Sequence, residues 1–598
     1  MTQKYFLKLR SNIVLNGDVD LAEREVKSFF SHVERVDEPE TVEKIIGLPI
    51  PNILSNTRKN GCVGFLVSGS RKTLEELILV LNFTQEIWSK STCKEVKSLS
   101  KFEWAYALDV HGAVFLCAMP FMTCGELLSQ SKVKTPTKED VRTLTAFLAG
   151  ATSSSGKVMK APTTGGTSTQ HVHSLHKYKA KFFPRLIRSF LVEHLDRLPR
   201  NKDGKIKLLD PFVGSGTALI EASLLGIDSD GVDIDKLSCA ISQAKLDILN
   251  ISPEQVITTS DKLDKAVSQV NITKNPYHFP SRIAKKFERW ETQDEQQGYE
   301  ATITKWKNAI DSLKDKATRH LFAICLSDAL TRKFVIRMMG TGVGRFALEI
   351  AKTSLDSLMA YNFKALIHST YVAKTIIESY EVNLGKAEVH HGTAVKLPFN
   401  DNTFSIIITS PPYLPASSGR EDYLVGKSIS NIALNLMTDE EIEEAETNTV
   451  GSMKWSVEHG DGLPKAVYEL YNWLSNDPLR AIKAKPTLAY YVSLKKALEE
   501  NLRVLLPGGL AVYVIGKESV FYRFSDREVL FKVECDKIFA ELSLTCGFVI
   551  DEIINVELDK KNKNARPRSL DSYYETVFIL RKPDYPIADV CCQLYPIT

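Results

Sequence analysis

Leu208-Leu209-Asp210-Pro211-Phe212-Val213-Gly214-Ser215-Gly216-Thr217 decides the fold. The apolar residues from Ile206 to Leu209 read as a short buried strand. Gly214 and Gly216 then let the backbone bend tightly and pass close to a ligand. A helix is expected to open near Thr217 and run through Ala218, Leu219, Ile220, Glu221, Ala222, Leu224 and Leu225, with Gly226 as its stop. The loop thus lies at the N-terminal end of a helix, where unpaired N–H groups face outward. Gly231-Val232-Asp233-Ile234-Asp235 reads as the next strand. Asp233 falls roughly twenty residues past the glycines, where a nucleotide-binding α/β fold carries the carboxylate that meets a ribose. The glycine spacing is not G-x-G-x-x-G, and Pro211-Phe212 is foreign to a nicotinamide dehydrogenase, which sets that class aside.

A second stretch carries chemistry. Phe404-Ser405-Ile406-Ile407-Ile408 reads as a buried strand, and Thr409-Ser410-Pro411-Pro412-Tyr413 follows it. Two successive prolines lack N–H groups and cannot continue a sheet. The strand therefore ends in a rigid, extended turn. Such a turn can hold a flat base against Tyr413. It can also aim Ser410 Oγ, and the Ser410 or Pro411 carbonyl, at an exocyclic amine.

Asp-Pro-Phe-x-Gly-Ser-Gly-Thr, Gly-Val-Asp-Ile-Asp and Thr-Ser-Pro-Pro-Tyr together resemble the amino-methyltransferases of the DNA N4-cytosine/N6-adenine family. His173-Ser174-Leu175-His176-Lys177-Tyr178-Lys179-Ala180-Lys181-Phe182-Phe183-Pro184 resembles the segment before the first strand in many N4-cytosine enzymes. The likeness covers about residues 171 to 582. It implies an α/β, Rossmann-like core that uses S-adenosyl-L-methionine. It assigns the cofactor to Asp210, Phe212, Gly214, Gly216, Thr217 and Asp233, with His176, Lys181 and Phe182 at its methionine end. Glu388-Val389-His390-His391-Gly392-Thr393-Ala394 resembles the strand and turn that hold the cofactor's adenine. Thr393 stands where many family members carry an acidic residue. Ser410, Pro411, Pro412 and Tyr413 become the catalytic residues. Ser before the prolines resembles cytosine-N4 enzymes, whereas Asp or Asn there resembles adenine-N6 and tRNA guanine-N2 enzymes.

Length and composition agree. The 598 residues leave room for more than one domain. Hydrophobic residues make up 43% and charged residues 25%, an ordinary globular mix. The sequence shows no apolar run long enough to span a bilayer and no cleavable signal pattern at its start. Ten cysteines without a C-x-x-C pair argue against disulfides and zinc, and make a reducing cytoplasm the expected setting. A net charge of +3 is too small to indicate nucleic acid alone, so local clusters must carry that argument. One such cluster is Lys560, Lys561, Lys563, Arg566 and Arg568, which reads as a phosphate-binding loop between the last two strands.

The expected organisation is an α+β accessory domain over residues 1–150, a linker over 151–170, and a methyltransferase domain over 171–598. The first domain bears a faint likeness to the RNA-holding region of archaeal-type tRNA guanine-N2 methyltransferases. It is expected to contain strands at Tyr5 to Leu9, 64–67 and 113–116, and a helix over Leu74 to Ile87. The core is expected to carry a mostly helical insert over about 280–384, with Trp290, Trp306, Leu321, Ile324 and Leu330 at helix-compatible intervals. A second insert is expected over about 414–488. Its acidic run, Glu440 to Glu446, reads as a solvated helix face. Three functions remain open. One is a site-specific DNA cytosine-N4 methyltransferase of restriction-modification type, with adenine-N6 as a sub-option and a cognate endonuclease as partner. The others are a tRNA guanine-N2 methyltransferase and a catalytically silent nucleic-acid-binding relative.

Overall fold

Phe404–Thr409 is buried at every position, which a strand achieves only with packing on both faces. Alternate residues serve two different cores. Leu208, Ile406, Ile408, Val512 and Ile579 enter one, and Leu209, Ile407, Ala511, Tyr513 and Phe578 enter the other. A computed structural model gives the arrangement behind this pattern. It describes residues 4–9, 13, 16–38, 61–72, 77, 80–89, 171–178, 183–338, 346–379, 382–414, 424–452, 457, 460–523, 525–526, 528–557 and 574–584.

In chain order the strands are β1 (Lys4–Leu9), β2 (Phe30–Val36), β3 (Gly64–Ser70), β4 (Thr84–Ser89), β5 (Lys207–Asp210), β6 (Asp228–Asp233), β7 (Phe334–Met338), β8 (Phe346–Ile350), β9 (Ala387–His391), β10 (Phe404–Thr409), β11 (Leu505–Gly516), β12 (Glu518–Tyr522), β13 (Val529–Glu534), β14 (Val549–Glu557) and β15 (Tyr574–Arg581). The central sheet has seven strands in the order β14-β15-β11-β10-β5-β6-β9. β9, β6, β5, β10 and β11 are parallel, and β15 runs antiparallel to both β11 and β14. From β5 the chain winds outward through β6 and β9, then returns to β10 on the other side. The C-terminal ends of β5 and β10 thus flank the crevice where such a sheet binds ligands. The α/β, Rossmann-like architecture expected from the glycine motif is this sheet.

Near the N-terminus, four strands pair in the order β2-β3-β1-β4. Residues 84–89 form β4 beside β1, where helical periodicity had suggested the end of a helix. Pairing with the open side of β1 outweighs that local pattern. The helix Asn16–Phe29 lies against β14. From it, Arg24 donates to both Glu193 carboxylate oxygens, at 2.8 and 2.7 Å, and pairs with Glu552. The expected strand at 113–116 and the linker at 151–170 fall outside the described residues.

The first insert contains the helices Ser281–Trp290, Gln293–Asp311, Lys316–Lys333 and Leu355–Ser379. It also contains the β7–β8 hairpin, which the expectation of a mostly helical segment missed. Phe334, Ile336, Phe346 and Leu348 are buried at alternating positions, the period of a strand. Trp306 is buried and donates Nε1–H to Asp356 at 2.7 Å, whereas Trp290 is 43% exposed and packs edge-to-face on the buried Phe287. The acidic run departs from expectation in part. It forms the helix Asp439–Asn448, opened by a capping box between Thr438 and Glu441. Arg282 bonds Glu446 at 3.1 Å and Glu443 at 3.1 Å, and Ser281 N and Oγ donate to Asp439 at 2.8 and 2.6 Å. Glu446 is buried. Glu440, Glu441, Glu443 and Glu444 stay exposed, so the run is a solvated face in part, with Glu443 and Glu446 paired to Arg282 and Glu441 to Lys236.

Candidate active site

β5 ends at Asp210 and the chain bends through Gly214 at φ +50° and Gly216 at φ +76°. Both angles lie in the left-handed region that glycine enters without a steric cost. At Gly216 a Cβ would also stand 2.9 Å from the Ser242 Cβ, so no side chain fits. Two groups on the helix Lys236–Ile248 hold the loop's carbonyls. Ser242 Oγ donates to the Gly214 carbonyl at 2.9 Å, and the buried Lys245 donates to the Ser215 carbonyl at 2.7 Å. The Gly214 N–H donates to Asp233 Oδ2 at 2.9 Å. Asp210, Phe212, Gly214, Gly216, Thr217 and Asp233 therefore meet at the ends of β5 and β6. Thr217 is buried in the first turn of the helix Thr217–Leu224 and shapes the loop from inside. Thr393 follows Gly392, whose N–H donates to the Asp233 carbonyl at 3.0 Å. Thr393 Oγ1 accepts Val395 N at 3.4 Å. His176 is buried and its Nε2 lies 3.0 Å from Ser327 Oγ, on a helix of the first insert. Lys181 and Phe182 fall outside the described residues.

A charged cluster that the sequence reading passed over closes this side. Lys427 Nζ donates to Asp235 Oδ2 at 2.7 Å, to Ser238 Oγ at 2.9 Å and to Tyr178 OH at 3.1 Å. Asp235 also caps the helix Lys236–Ile248 through Leu237 N and Ser238 N. Tyr178 OH lies 3.4 Å from where a Gly214 Cβ would be, so it walls the glycine loop. Burial alone would raise the Asp235 carboxyl, but Lys427 and the neighbouring hydrogen bonds hold it below its ordinary value. Burial raises the Asp233 carboxyl, with Lys427 acting against the rise. Asp235-x-x-Ser238 is a helix-opening pattern that sequence could have offered; Lys427 carried no such signal.

β10 delivers the proline turn beside this loop. Thr409 Oγ1 donates to Asp210 Oδ1 at 2.7 Å, and the same oxygen accepts Phe212 N at 3.1 Å. One buried carboxyl thus joins the two motifs. Burial pushes that carboxyl up to about 7, with the bonds from Thr409 and Phe212 acting against it. The Pro412 carbonyl accepts Tyr490 OH at 2.9 Å. The Tyr413 ring lies 3.4 Å from where a Gly516 Cβ would be, and its hydroxyl donates to Glu575 Oε1 at 2.8 Å. Tyr413 remains 41% exposed, which leaves part of the ring open to a ligand. Burial raises the Glu575 carboxyl, and the Tyr413 bond counters it. The basic cluster Lys560, Lys561, Lys563, Arg566 and Arg568 lies outside the described residues.

No family model matches the chain. It is similar to the Type II methyltransferase M.MvaI of Kocuria varians, 24% identical over 371 residues, which are 59% of this chain and 79% of that protein. It is also similar to M.MjaII of Methanocaldococcus jannaschii, 32% identical over 136 residues, 20% of this chain and 24% of the relative. M.BsoBI of Geobacillus stearothermophilus is 27% identical over 272 residues, 41% of this chain and half of that protein's length. The chain thus spans less than two thirds of two of these three relatives. All three bear the Type II methyltransferase name, and they bear out the family resemblance carried by the sequence motifs. Among solved structures, the rRNA methyltransferase AviRa of Streptomyces viridochromogenes aligns at a TM-score of 0.25 and 11% identity, over 68% of this chain and 88% of that one. At that score the likeness carries no weight, and the fold rests on the chain's own strand order.

Proposed function

We propose that this chain, a relative of the Type II methyltransferases, transfers a methyl group from S-adenosyl-L-methionine to the exocyclic N4 amine of cytosine in DNA. The observation that carries the reading is the Thr409–Asp210 hydrogen bond of 2.7 Å, which sets the proline turn directly against the glycine loop. The loop fits the cofactor. Gly214 and Gly216 bend it in left-handed conformations, its carbonyls are tied back to Ser242 and Lys245, and the half-buried acid Asp233 lies beside it. When bound, the cofactor supplies a sulfonium methyl group. Asp210, Phe212, Gly214, Gly216, Thr217, Asp233 and Thr393 would hold it from the strand ends, with His176, Lys181 and Phe182 at its methionine end.

The amine of cytosine is a poor nucleophile because its lone pair is delocalised into the ring. The turn needs no strong base. Acceptors at the two N–H groups aim the lone pair and stabilise the positive charge that develops on nitrogen. Tyr490 already occupies the Pro412 carbonyl, which leaves this task to Ser410 Oγ and the Ser410 or Pro411 carbonyl. The open face of Tyr413 supports stacking of the base, which must first leave a duplex. Ser410 at the head of the turn supports cytosine over adenine. Lys560, Lys561, Lys563, Arg566 and Arg568 are assigned to backbone phosphates, and a cognate restriction endonuclease is the expected partner.

The test is direct. The chain is incubated with labelled S-adenosyl-L-methionine and either unmethylated bulk DNA or bulk tRNA, and the nucleosides are separated. N4-methylcytosine from DNA is the expected product. N6-methyladenine would move the target to adenine, and methylguanine from tRNA alone would replace DNA as the substrate.

A further inference from the structure

Tyr178 belongs to the segment before β5 and lies in no helix or strand. Its backbone N–H donates to the His176 carbonyl at 2.8 Å, and Lys177 N–H donates to Asp328 Oδ1 at 2.5 Å. The side chain is held from elsewhere. Its hydroxyl stands against the glycine loop, 3.4 Å from where a Gly214 Cβ would be, and is gripped by Ser238 and Lys427.

Hydrogen-bond directions in this knot have one solution. Five donors converge on Asp235: Leu237 N, Ser238 N, Ser238 Oγ, Asn431 Nδ2 and Lys427 Nζ. Its carboxylate therefore only accepts, and Ser238 Oγ spends its single proton there at 2.8 Å. Lys427 Nζ only donates, and its three N–H groups go to Asp235, Ser238 and Tyr178. Ser238 Oγ then has no proton for Tyr178, 3.0 Å away, and must accept the phenolic one. The Tyr178 hydroxyl has thus given its proton to Ser238 and taken a bond from Lys427. Toward any third group its oxygen is an acceptor only. Lys427 has no N–H left over to meet a carboxylate of the cofactor. An N–H donor fits this corner of the loop, and a carboxylate does not.

We infer that Tyr178 recognises the methionine end of the cofactor, its oxygen accepting from the α-ammonium group, and that Lys427 is the positioning residue that holds this oxygen beside Gly214. This rests on the cofactor placement proposed above. Lys427 follows the proline turn in the chain and ends the short helical turn Val425–Lys427. A residue beyond the turn assigned to the target base thereby shapes the pocket of the methyl donor.

Calorimetry with two ligands tests this without turnover. S-adenosyl-L-homocysteine carries the ammonium group, and 5′-methylthioadenosine lacks the whole amino-acid end. Tyr178→Phe lowers affinity for the first about tenfold, the loss of one hydrogen bond to a charged group, and leaves the second unchanged. Lys427→Met has the same selective effect, and it adds nothing in a Tyr178→Phe background, because the oxygen it holds is absent. Should Lys427→Met fail to fold once Asp235 loses its counter-charge, Lys427→Met combined with Asp235→Asn takes its place. Equal losses for both ligands, or an undiminished affinity of Tyr178→Phe for S-adenosyl-L-homocysteine, overturn the inference. A full second loss in the double variant removes Lys427 from it. If the unaltered chain binds neither ligand, the cofactor placement falls and the inference with it. If it binds both and methylates no cytosine, only the proposed target falls.

Discussion

At the end of β5 the chain bends through Gly214 and Gly216 in left-handed conformations; at the end of β10 it turns through Pro411 and Pro412. The first bend is allowed by missing side chains, and the second is limited by rings that restrict φ. Their anchors differ in the same sense. The glycine loop is tied from beneath by Ser242 and Lys245, about thirty residues onward on the next helix but one. The proline turn is tied by Tyr490 and Glu575, 78 and 162 residues away from the groups they hold. A local motif thus makes a ligand cradle almost unaided, whereas the reactive turn takes its orientation from distant strands and helices.

Four experiments break or sharpen this contrast. The largest effect is expected at Gly214→Val. Left-handed strain of about 1–3 kcal/mol, together with a branched side chain in the ligand's space, should lower cofactor affinity about a hundredfold or more. Calorimetry with S-adenosyl-L-methionine measures it, and an unchanged affinity would mean that the loop is not the cradle.

Asp210→Asn tests the bridge between the two motifs. Burial raises the folded-state value to about 7, whereas an unfolded aspartate titrates near 4. Between those values the folded chain keeps a proton that the unfolded chain has lost. Stability should therefore fall as pH rises through this window and level off above it. Asparagine can still accept from Thr409 and Phe212 but carries no charge. The variant should exceed the parent at pH 8 by on the order of a few kcal/mol, and match it near pH 4. Denaturant titrations of both cofactor-free proteins across pH measure this, and parallel pH profiles would refute it.

Tyr413→Ala should weaken binding of single-stranded DNA by about 1–3 kcal/mol through lost stacking. Cofactor affinity should stay the same, because the glycine loop has its own anchors. A coupled loss of both would show that loop and turn act as one element. The smallest effect is expected at Ser242→Ala. It removes one bond to the Gly214 carbonyl, worth about 1 kcal/mol, so cofactor affinity should fall about fivefold with no change at the turn.

The same contrast explains what could be read in advance. Leu208 to Thr217 displays strand, loop and helix in consecutive residues, each by a local steric rule. Phe404 to Tyr413 likewise announces a buried strand and a forced stop. Lys427, Tyr490 and Glu575 gave no such sign, because each matters only through a partner the fold brings near. Lys427 reaches Asp235 across 192 residues of sequence. The β7–β8 hairpin was missed because a strand of five residues is too short to outvote the helical segments around it. The acidic helix was read as solvated throughout because its counter-charges, Arg282 and Lys236, belong to other segments.

Arg24, on the helix Asn16–Phe29, is pinned to Glu552 across a separation of 528 residues. During synthesis the helix can first settle on Glu193, 169 residues further on, and gains its second carboxylate only when β14 has emerged. Pairing across so long a stretch of chain is the slowest class of contact to close. The Arg24–Glu552 pair therefore marks a molecule whose synthesis has reached β14, and a chain cut short of that strand holds this helix by one carboxylate in place of two.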